Sequence, residues 1–161
     1  LEPILEAIGL YSARAAEKLR LQRHHVTTLH VFLHTSPFAP GYVSASTAVQ
    51  LPYPTDDTRL ISHHARAAVT SLYRPGHEYI KAGVGLVELV DTVHQQLDLW
   101  EPGQPARASV LMGLLDQINQ RHGKHSVFFG SQGVQQPWYM LQQYRSPEYT
   151  TRWSDLPVAH C

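Results

Sequence analysis

Apolar side chains recur every three to four residues in three stretches of the chain, which predicts three amphipathic helices. The first stretch covers residues 3–23. The second begins after residues 55–58, which offer N-cap side chains, and ends before the Arg-Pro-Gly segment 74–76. The third covers residues 108–122 and is followed by a glycine that suits a C-terminal cap. The expected buried stripes are Ile4, Ile8, Tyr11, Ala15 and Leu19; Ile61, Ala65, Ala68 and Leu72; and Leu111, Leu114, Leu115 and Ile118.

Alternating apolar and polar positions predict three β-strands, over residues 26–34, 43–51 and 78–88. The Pro- and Gly-containing segment 35–41 predicts a hairpin between the first two strands. One-sided alternation implies an antiparallel sheet with two helices on one face and an open second face. In the third strand, Ile80 is expected to point towards the helices. The open face is expected to carry Thr28, His30, Phe32, His34, Ser44, Ser46, Gln50, Tyr79 and Lys81.

The chain changes character after the third strand. Residues 91–108 combine acidic side chains with Pro and Gly, which predicts an exposed linker. Beyond the third helix, a short strand at 126–129 and a turn at 130–133 predict a small α/β domain with an aromatic tail. The chain begins at Leu1 inside a helical pattern, so we expect it to be a fragment. The fold class is predicted to be α+β, with a first domain over 1–90, a linker over 91–108 and a C-terminal domain over 109–161.

Composition excludes several classes of protein. The 161 residues are 43% hydrophobic, which excludes global disorder, and no apolar run is long enough to predict a membrane-spanning helix. Thirteen basic and thirteen acidic side chains exclude nucleic-acid binding by gross basicity. The charge is unevenly distributed, since residues 91–105 hold three acidic side chains and no basic one. A single cysteine excludes a disulfide framework within one chain.

The 11 histidines are candidates for metal binding. Two adjacent pairs, at 24–25 and 63–64, point their rings apart on a strand or a helix, and a zinc site needs three or four convergent ligands. We therefore expect no native metal. His30 and His34 share the open face, and imidazoles titrate near neutral pH. If some of the histidines become cationic and contact phosphate, DNA affinity should rise as the pH falls from about 8 to about 6.

The linker contains a short segment with the composition of a docking peptide, made of Gln96, Leu97, Asp98, Leu99 and Trp100. Its apolar side chains would anchor in a pocket, and the amide would fix the orientation by hydrogen bonds. Alternatively, Leu97, Leu99 and Trp100 fold back on the C-terminal domain. The segment resembles the pentapeptide by which bacterial polymerases bind the sliding clamp, Gln-Leu-x-Leu-Phe, with Trp100 in place of Phe.

The C-terminal run 146–158, Ser-Pro-Glu-Tyr-Thr-Thr-Arg-Trp-Ser-Asp-Leu-Pro-Val, resembles the end of UmuC-type proteins. These are the catalytic subunits of error-prone DNA polymerase V and belong to the Y-family of translesion polymerases. The resemblance covers essentially the whole chain. It is carried further by residues 11–23, 35–38, 56–58, 73–76, 115–119, 132–133 and 138–140.

This resemblance implies that residues 1–90 form a little finger domain and that residues from about 109 form the family's additional C-terminal domain. The family's little finger has four strands and two helices, and its first strand is missing from this chain. The palm, with the carboxylates that hold magnesium, is also missing, so we expect no cofactor, no catalytic residue and no polymerase activity in this fragment. Loss of a central strand would leave unpaired sheet edges, open to strand exchange or dimerisation, unless the sheet rearranges.

The resemblance also implies that the open face follows the DNA backbone without reading sequence, because hydroxyl, amide and Lys contacts to phosphate only position the protein. Lys81 matches a family position that is usually basic. The expected contacts are Lys81, Tyr79, His30, His34, Ser44, Ser46 and Gln50. The parent enzyme would add nucleotides opposite lesions in SOS mutagenesis, in the bacterial cytoplasm at the nucleoid, with the sliding clamp, UmuD′ and RecA as partners and no membrane.

Two other functions compete with DNA contact and clamp binding. The chain could be a protein-interaction module that recruits polymerase V partners while its sheet touches no DNA. Alternatively, the chain could be a stand-alone His-dependent enzyme or metal binder. Neither a Gly-x-Ser-x-Gly nucleophile elbow nor a phosphate-binding glycine loop is present in the sequence, which disfavours the enzyme.

Overall fold

The computed structural model describes residues 1–38, 41–92, 103–136, 138–139 and 146–157. The order of helices and strands in these residues agrees with the α+β prediction. The elements are α1 (Glu2–Leu21), β1 (His24–Thr35), β2 (Ser44–Thr55), α2 (Thr58–Leu72), β3 (Tyr79–Asp91) and α3 (Ala106–His122), with short 3₁₀ helices at Gly130–Gln132 and Trp153–Asp155.

Within the described residues, three strands form one antiparallel sheet in the order β2-β1-β3. The central strand β1 alternates as predicted, because Leu29, Val31 and Leu33 are fully buried on the side of α1 and α2. From α2, Ile61 and Ala65 complete this core. The helices therefore cover one face of the sheet and leave the other open, as the alternation predicts.

The three described strands pair without an internal gap, so the expected unpaired edges do not lie inside this sheet. Strand β1 pairs with a strand on each side, and the register places Val31 opposite Thr47 of β2 and opposite Val84 of β3. A strand added to this sheet would have to pair at the outer edge of β2 or of β3. Strand exchange at those edges stays a prediction.

The second helix begins where the polar residues predicted it. The Asp57 side chain accepts a hydrogen bond from the backbone N–H of Arg59 at 2.8 Å, which satisfies one of the free donors of the first turn. The Arg59 guanidinium also pairs with the Asp57 carboxylate at 2.7 Å. Local sequence thus determines this helix start.

The predicted buried stripe of α3 is wrong at Leu111 and Leu114, whereas Leu115 and Ile118 are half-buried. Ala108 and Met112 are buried, whereas Leu111 and Leu114 are 39% and 53% exposed. An ion pair joins this helix to α1, since Arg20 donates two hydrogen bonds to Asp116 at 2.6 and 2.8 Å. The buried residues Ala108 and Met112 lie at spacings of four from Asp116, on the side of α3 that meets the rest of the protein.

The predicted exposed linker over 91–108 is wrong at both ends. Strand β3 continues to Asp91, and α3 begins at Ala106. Before α3, the Gln104 carboxamide accepts hydrogen bonds from the Thr55 hydroxyl and from the Asp56 backbone N–H, and it donates to the Asp56 carboxylate at 2.7 Å. The chain is therefore anchored to the end of β2 before α3 starts.

The predicted strand at 126–129 does not form. The backbone of Val127 is instead hydrogen-bonded to the Asn119 side chain, with N–H to Oδ1 and Nδ2 to O both at 2.9 Å. A side-chain amide thus takes the place of a neighbouring strand for this residue.

Ser131 and Trp138 of the C-terminal segment pack against the helices. The backbone carbonyl of Ser131 accepts a hydrogen bond from Arg66 of α2 at 3.0 Å. The same carbonyl lies so close to Gly9 that a Cβ at Gly9 would be 2.3 Å from its oxygen. Further along, the Trp138 indole donates to Glu6 at 3.2 Å. These contacts place the segment on the helix side of the sheet, away from the open face.

Candidate nucleic-acid interface

The open face is built in rows across the three described strands. His30, Phe32 and His34 of β1 point to this face, since their neighbours Val31 and Leu33 are buried on the other. The register places Ala48, Ser46 and Ser44 of β2 beside them on one side and Gly85, Gly83 and Lys81 of β3 on the other. Small and polar side chains therefore flank a central aromatic row.

The aromatic row is stacked. The Phe32 ring lies 5.1 Å from the ring of His34 and 6.0 Å from that of His30, measured between centroids. Gly83 makes room for this row, because a Cβ there would lie 2.3 Å from the end of the Phe32 ring. The ring can therefore lie over β3, which leaves a shallow surface rather than a ridge.

Fixed charges divide the face into two ends. At one end, Lys81 is exposed, lies opposite His34 and has no ion pair with another described residue. At the other end, the Glu88 carboxylate accepts hydrogen bonds from the hydroxyls of Thr27 and Thr28 at 3.2 and 2.5 Å. Glu88 has a φ of 55°, a backbone conformation that non-glycine residues rarely adopt. The electrostatics favour an anion at the Lys81 end and disfavour one at the Glu88 end.

The Glu88 contacts were missed by the sequence reasoning. A carboxylate at the end of a strand pattern reads as surface charge, and only the pairing of β1 with β3 brings it to the two threonines. The adjacent Thr-Thr dipeptide is a weak signal, since hydroxyls of this kind are common on exposed strands.

The prediction that Tyr79 lies on the open face is wrong. The β1–β3 register shifts between His34 and Thr35, so that Tyr79 pairs with the buried Thr35. The half-buried Tyr79 ring packs against the core and lies 5.5 Å from that of Tyr73. Because of the same irregularity, Ile80 is 67% exposed instead of pointing inward. A bulge adds one residue and thereby reverses the alternation, which periodicity cannot reveal.

The remaining predicted residues of the open face lie where the alternation places them. Ser44, Ser46 and Gln50 are exposed along β2, and His30 is exposed on β1. His34 is half-buried, and its Nδ1 is buried without a hydrogen-bond partner in the part of the chain that the structure describes. The clamp-like segment Gln96–Trp100 lies outside the described residues.

The other histidines that the structure describes do not converge. In the described ranges, no group of three or more His, Cys, Asp or Glu side chains is arranged to hold a metal ion. The rings of His63 and His64 meet edge to face on α2, 5.4 Å apart. Burial, and then the neighbouring His63, lowers the pKa of His64 below its ordinary value.

Comparison with known proteins agrees with this architecture. Residues 1–99 match the impB/mucB/samB family C-terminal domain. The chain belongs to the impB/mucB/samB family. Residues 109–159 of this family member match a domain of unknown function (DUF4113). The division between the two matches covers residues 100–108, which include the first three residues of α3.

Several curated proteins are similar to this family member over nearly its whole length. It is 40% identical over 158 residues to Protein UmuC of Salmonella typhimurium, 39% over 161 residues to Protein SamB of the same organism, and 38% over 158 residues to Protein MucB of Escherichia coli. These alignments cover 96%, 98% and 96% of the chain. They cover only 37%, 38% and 37% of the relatives, so the chain spans little more than a third of their length.

Membrane insertion by a helix finds no support in the described residues. None of the helices there combines the length and the apolar character that a membrane crossing requires.

Proposed function

We propose that this chain is the DNA-contacting and clamp-binding C-terminal part of an error-prone translesion DNA polymerase. The observation that carries the proposal is the open sheet face with Lys81 at one end. Membership of the impB/mucB/samB family supports it. The parent protein adds nucleotides opposite lesions in SOS mutagenesis, in the bacterial cytoplasm at the nucleoid, with UmuD′ and RecA as partners.

The chemistry of the face suits contact with a phosphate backbone. Ser44, Ser46 and Gln50 offer short hydrogen-bond donors, and Lys81 supplies a cation without an ion pair among the described residues. Groups of this kind position a protein on phosphates and do not read bases. A surface without a base-reading helix accepts any template sequence, which a polymerase requires.

The face predicts weak binding. Lys81 is the residue with a fixed positive charge in the rows described above. Each phosphate that a protein neutralises contributes about −0.9 to the slope of the log binding constant against the log salt concentration. The Glu88 end repels the backbone, so DNA should cross the face at the Lys81 end. Binding of Gln96, Leu97, Asp98, Leu99 and Trp100 to the sliding clamp would raise the effective concentration of DNA at the face and compensate for low affinity.

Magnesium belongs to the catalytic carboxylates of the parent's palm in this proposal. The described residues include no group that would hold it. The chain's own contribution is to bind and orient DNA, and this chain alone should not polymerise it.

Fluorescence anisotropy with labelled primer–template DNA tests the DNA contact. Lys81→Ala should weaken binding about two- to fivefold and reduce the salt slope by about one, because a single exposed ionic contact is lost. The matched control is Arg107→Ala, which removes an exposed cation from α3 on the helix side and should leave the affinity unchanged. Equal effects of both variants, or no binding by the parent chain, would contradict the proposal.

A clamp pull-down tests the second half of the proposal. Substitution of Leu97, Leu99 and Trp100 by Ala should abolish capture by the sliding clamp while the affinity for primer–template DNA is retained. If the variant unfolds instead, as circular dichroism would show, these side chains belong to the core and the docking hypothesis fails.

A protein-interaction module is the second candidate, and the outer side of α3 favours it. Val110 and Leu114 are 73% and 53% exposed and lie one helical turn apart. Exposed apolar side chains at this spacing are typical of a helix that meets a partner. Capture of UmuD′ or RecA without any affinity for DNA would favour this function over the first.

A further inference from the structure

A cleft of about 450 Å³ opens between α1, α3 and the segment 123–132. We call it the α1–α3 cleft. Its volume lies in the range of sites that hold a small ligand or a few residues of a peptide. It lies on the helix side of the sheet, away from the open face, and the proposed contacts with DNA do not use it.

The walls of the cleft are held by specific contacts. The Arg20–Asp116 ion pair joins the two helices. On the third side, the two hydrogen bonds between Asn119 and the Val127 backbone hold the segment after α3 across the gap. Gln132, which also lines the cleft, is buried. Contacts of this kind form the cleft before any ligand arrives, which lowers the entropic cost of binding.

Positive charge lines the cleft in excess. Arg14 and Lys18 of α1 and Lys124 after α3 have no ion pair with another described residue. Asp116 is neutralised by Arg20, which leaves Glu17 as the unpaired carboxylate among the lining residues. The field in the cleft therefore favours a ligand with a few negative charges.

Apolar side chains share the cleft with these cations. Leu115 and Phe129 line it together with Val127 and Phe128, which are 42% and 39% exposed. An exposed phenylalanine beside exposed lysines is typical of surfaces that bury an apolar anchor and pair charges at the rim.

We propose that the α1–α3 cleft binds a short acidic peptide segment of a partner protein, with one apolar side chain as its anchor. The apolar walls take the anchor, and Arg14, Lys18 and Lys124 pair with the flanking carboxylates. A polyphosphate strand fits less well, because Glu17 faces the cleft and the unpaired cations are few. A cleft of this size also suits a side chain better than a continuous nucleic-acid backbone.

Fluorescence anisotropy with a labelled peptide library tests the proposal. Each probe peptide carries Asp and Glu around a single Leu or Phe, and labelled oligodeoxythymidine is measured in parallel. The chain with Lys18→Glu and Lys124→Glu should bind the best peptide at least about tenfold more weakly, since two attractive rim charges become repulsive. The matched control is Arg74→Glu, an exposed cation beyond the far end of α2, which should leave peptide binding unchanged.

Phe128→Ala tests the anchor separately from the charges. It should weaken binding of the peptides without changing how their affinity depends on salt concentration. Thermal unfolding of each variant verifies that the variant is folded. The proposal is overturned if no peptide binds, if the control weakens binding as much as the charge reversals, or if the reversals abolish oligodeoxythymidine binding only.

Discussion

The contact between α1 and α3 depends on the Arg20–Asp116 ion pair, so loss of this pair should lower the stability of the chain by a measurable amount. Side-chain exposure is 9% for Arg20 and 17% for Asp116, so the pair is largely shielded from water. Asp116→Ala leaves the guanidinium with two other acceptors, the Asp56 carbonyl at 2.8 Å and the Thr58 hydroxyl at 3.0 Å. Removal of one partner from a buried pair costs about 3–5 kcal/mol. The retained acceptors reduce the expected loss to about 2–3 kcal/mol.

Urea unfolding followed by circular dichroism measures this loss. For a chain of this length, a loss of about 2–3 kcal/mol lowers the thermal midpoint by roughly 4–12 °C. The matched control is Arg152→Ala, which removes an exposed pair with Glu148 at 3.8 Å and should cost less than about 1 kcal/mol. The double variant Arg20→Met with Asp116→Leu should regain most of the stability, because no charge is left buried. An Asp116→Ala effect no larger than the control's would refute the reasoning.

Two further predictions concern packing and pH. Gly9→Ala should destabilise the chain by about 1–3 kcal/mol, because the added Cβ would meet the backbone oxygen of Ser131. Gly113→Ala on α3 meets nothing within 4 Å and should stabilise the chain by about 0.5–1 kcal/mol. Chemical denaturation compares the two variants, and changes of the same sign in their free energies of unfolding would contradict the packing at Gly9. Burial lowers the pKa of His64 in the folded chain. As the pH falls through about 6.5, the His64 imidazole is therefore protonated in the unfolded chain before it is protonated in the folded chain, and stability is lost on acidification below that point. His64→Gln should therefore reduce the fall in thermal midpoint between about pH 7 and pH 5, while His77→Gln at an exposed position should not; identical pH profiles for His64→Gln and the parent chain would exclude this contribution.

Local signals predicted most of the first ninety residues. In β1 every second side chain faces the core, and Leu29, Val31 and Leu33 keep this alternation without interruption. The Asp57 cap is equally local, because it satisfies a backbone donor two residues away. Irregularity defeated the same reasoning at Tyr79, where a register shift reverses the faces without any mark in the hydrophobic pattern.

The sequence by itself determined the element order up to α3, the hydrophobic face of the sheet and the polar row along β2, because each depends on periodicity or on neighbours within a few residues. Only the tertiary structure decided which side of α3 is buried, since the contact of this helix with α1 includes an ion pair between Arg20 and Asp116, which are 96 residues apart in the chain. It also placed Glu88 against two threonines from the other side of the β1–β3 ladder. The α1–α3 cleft exists for the same reason, because its cations and aromatic side chains come from segments that meet only when the chain folds.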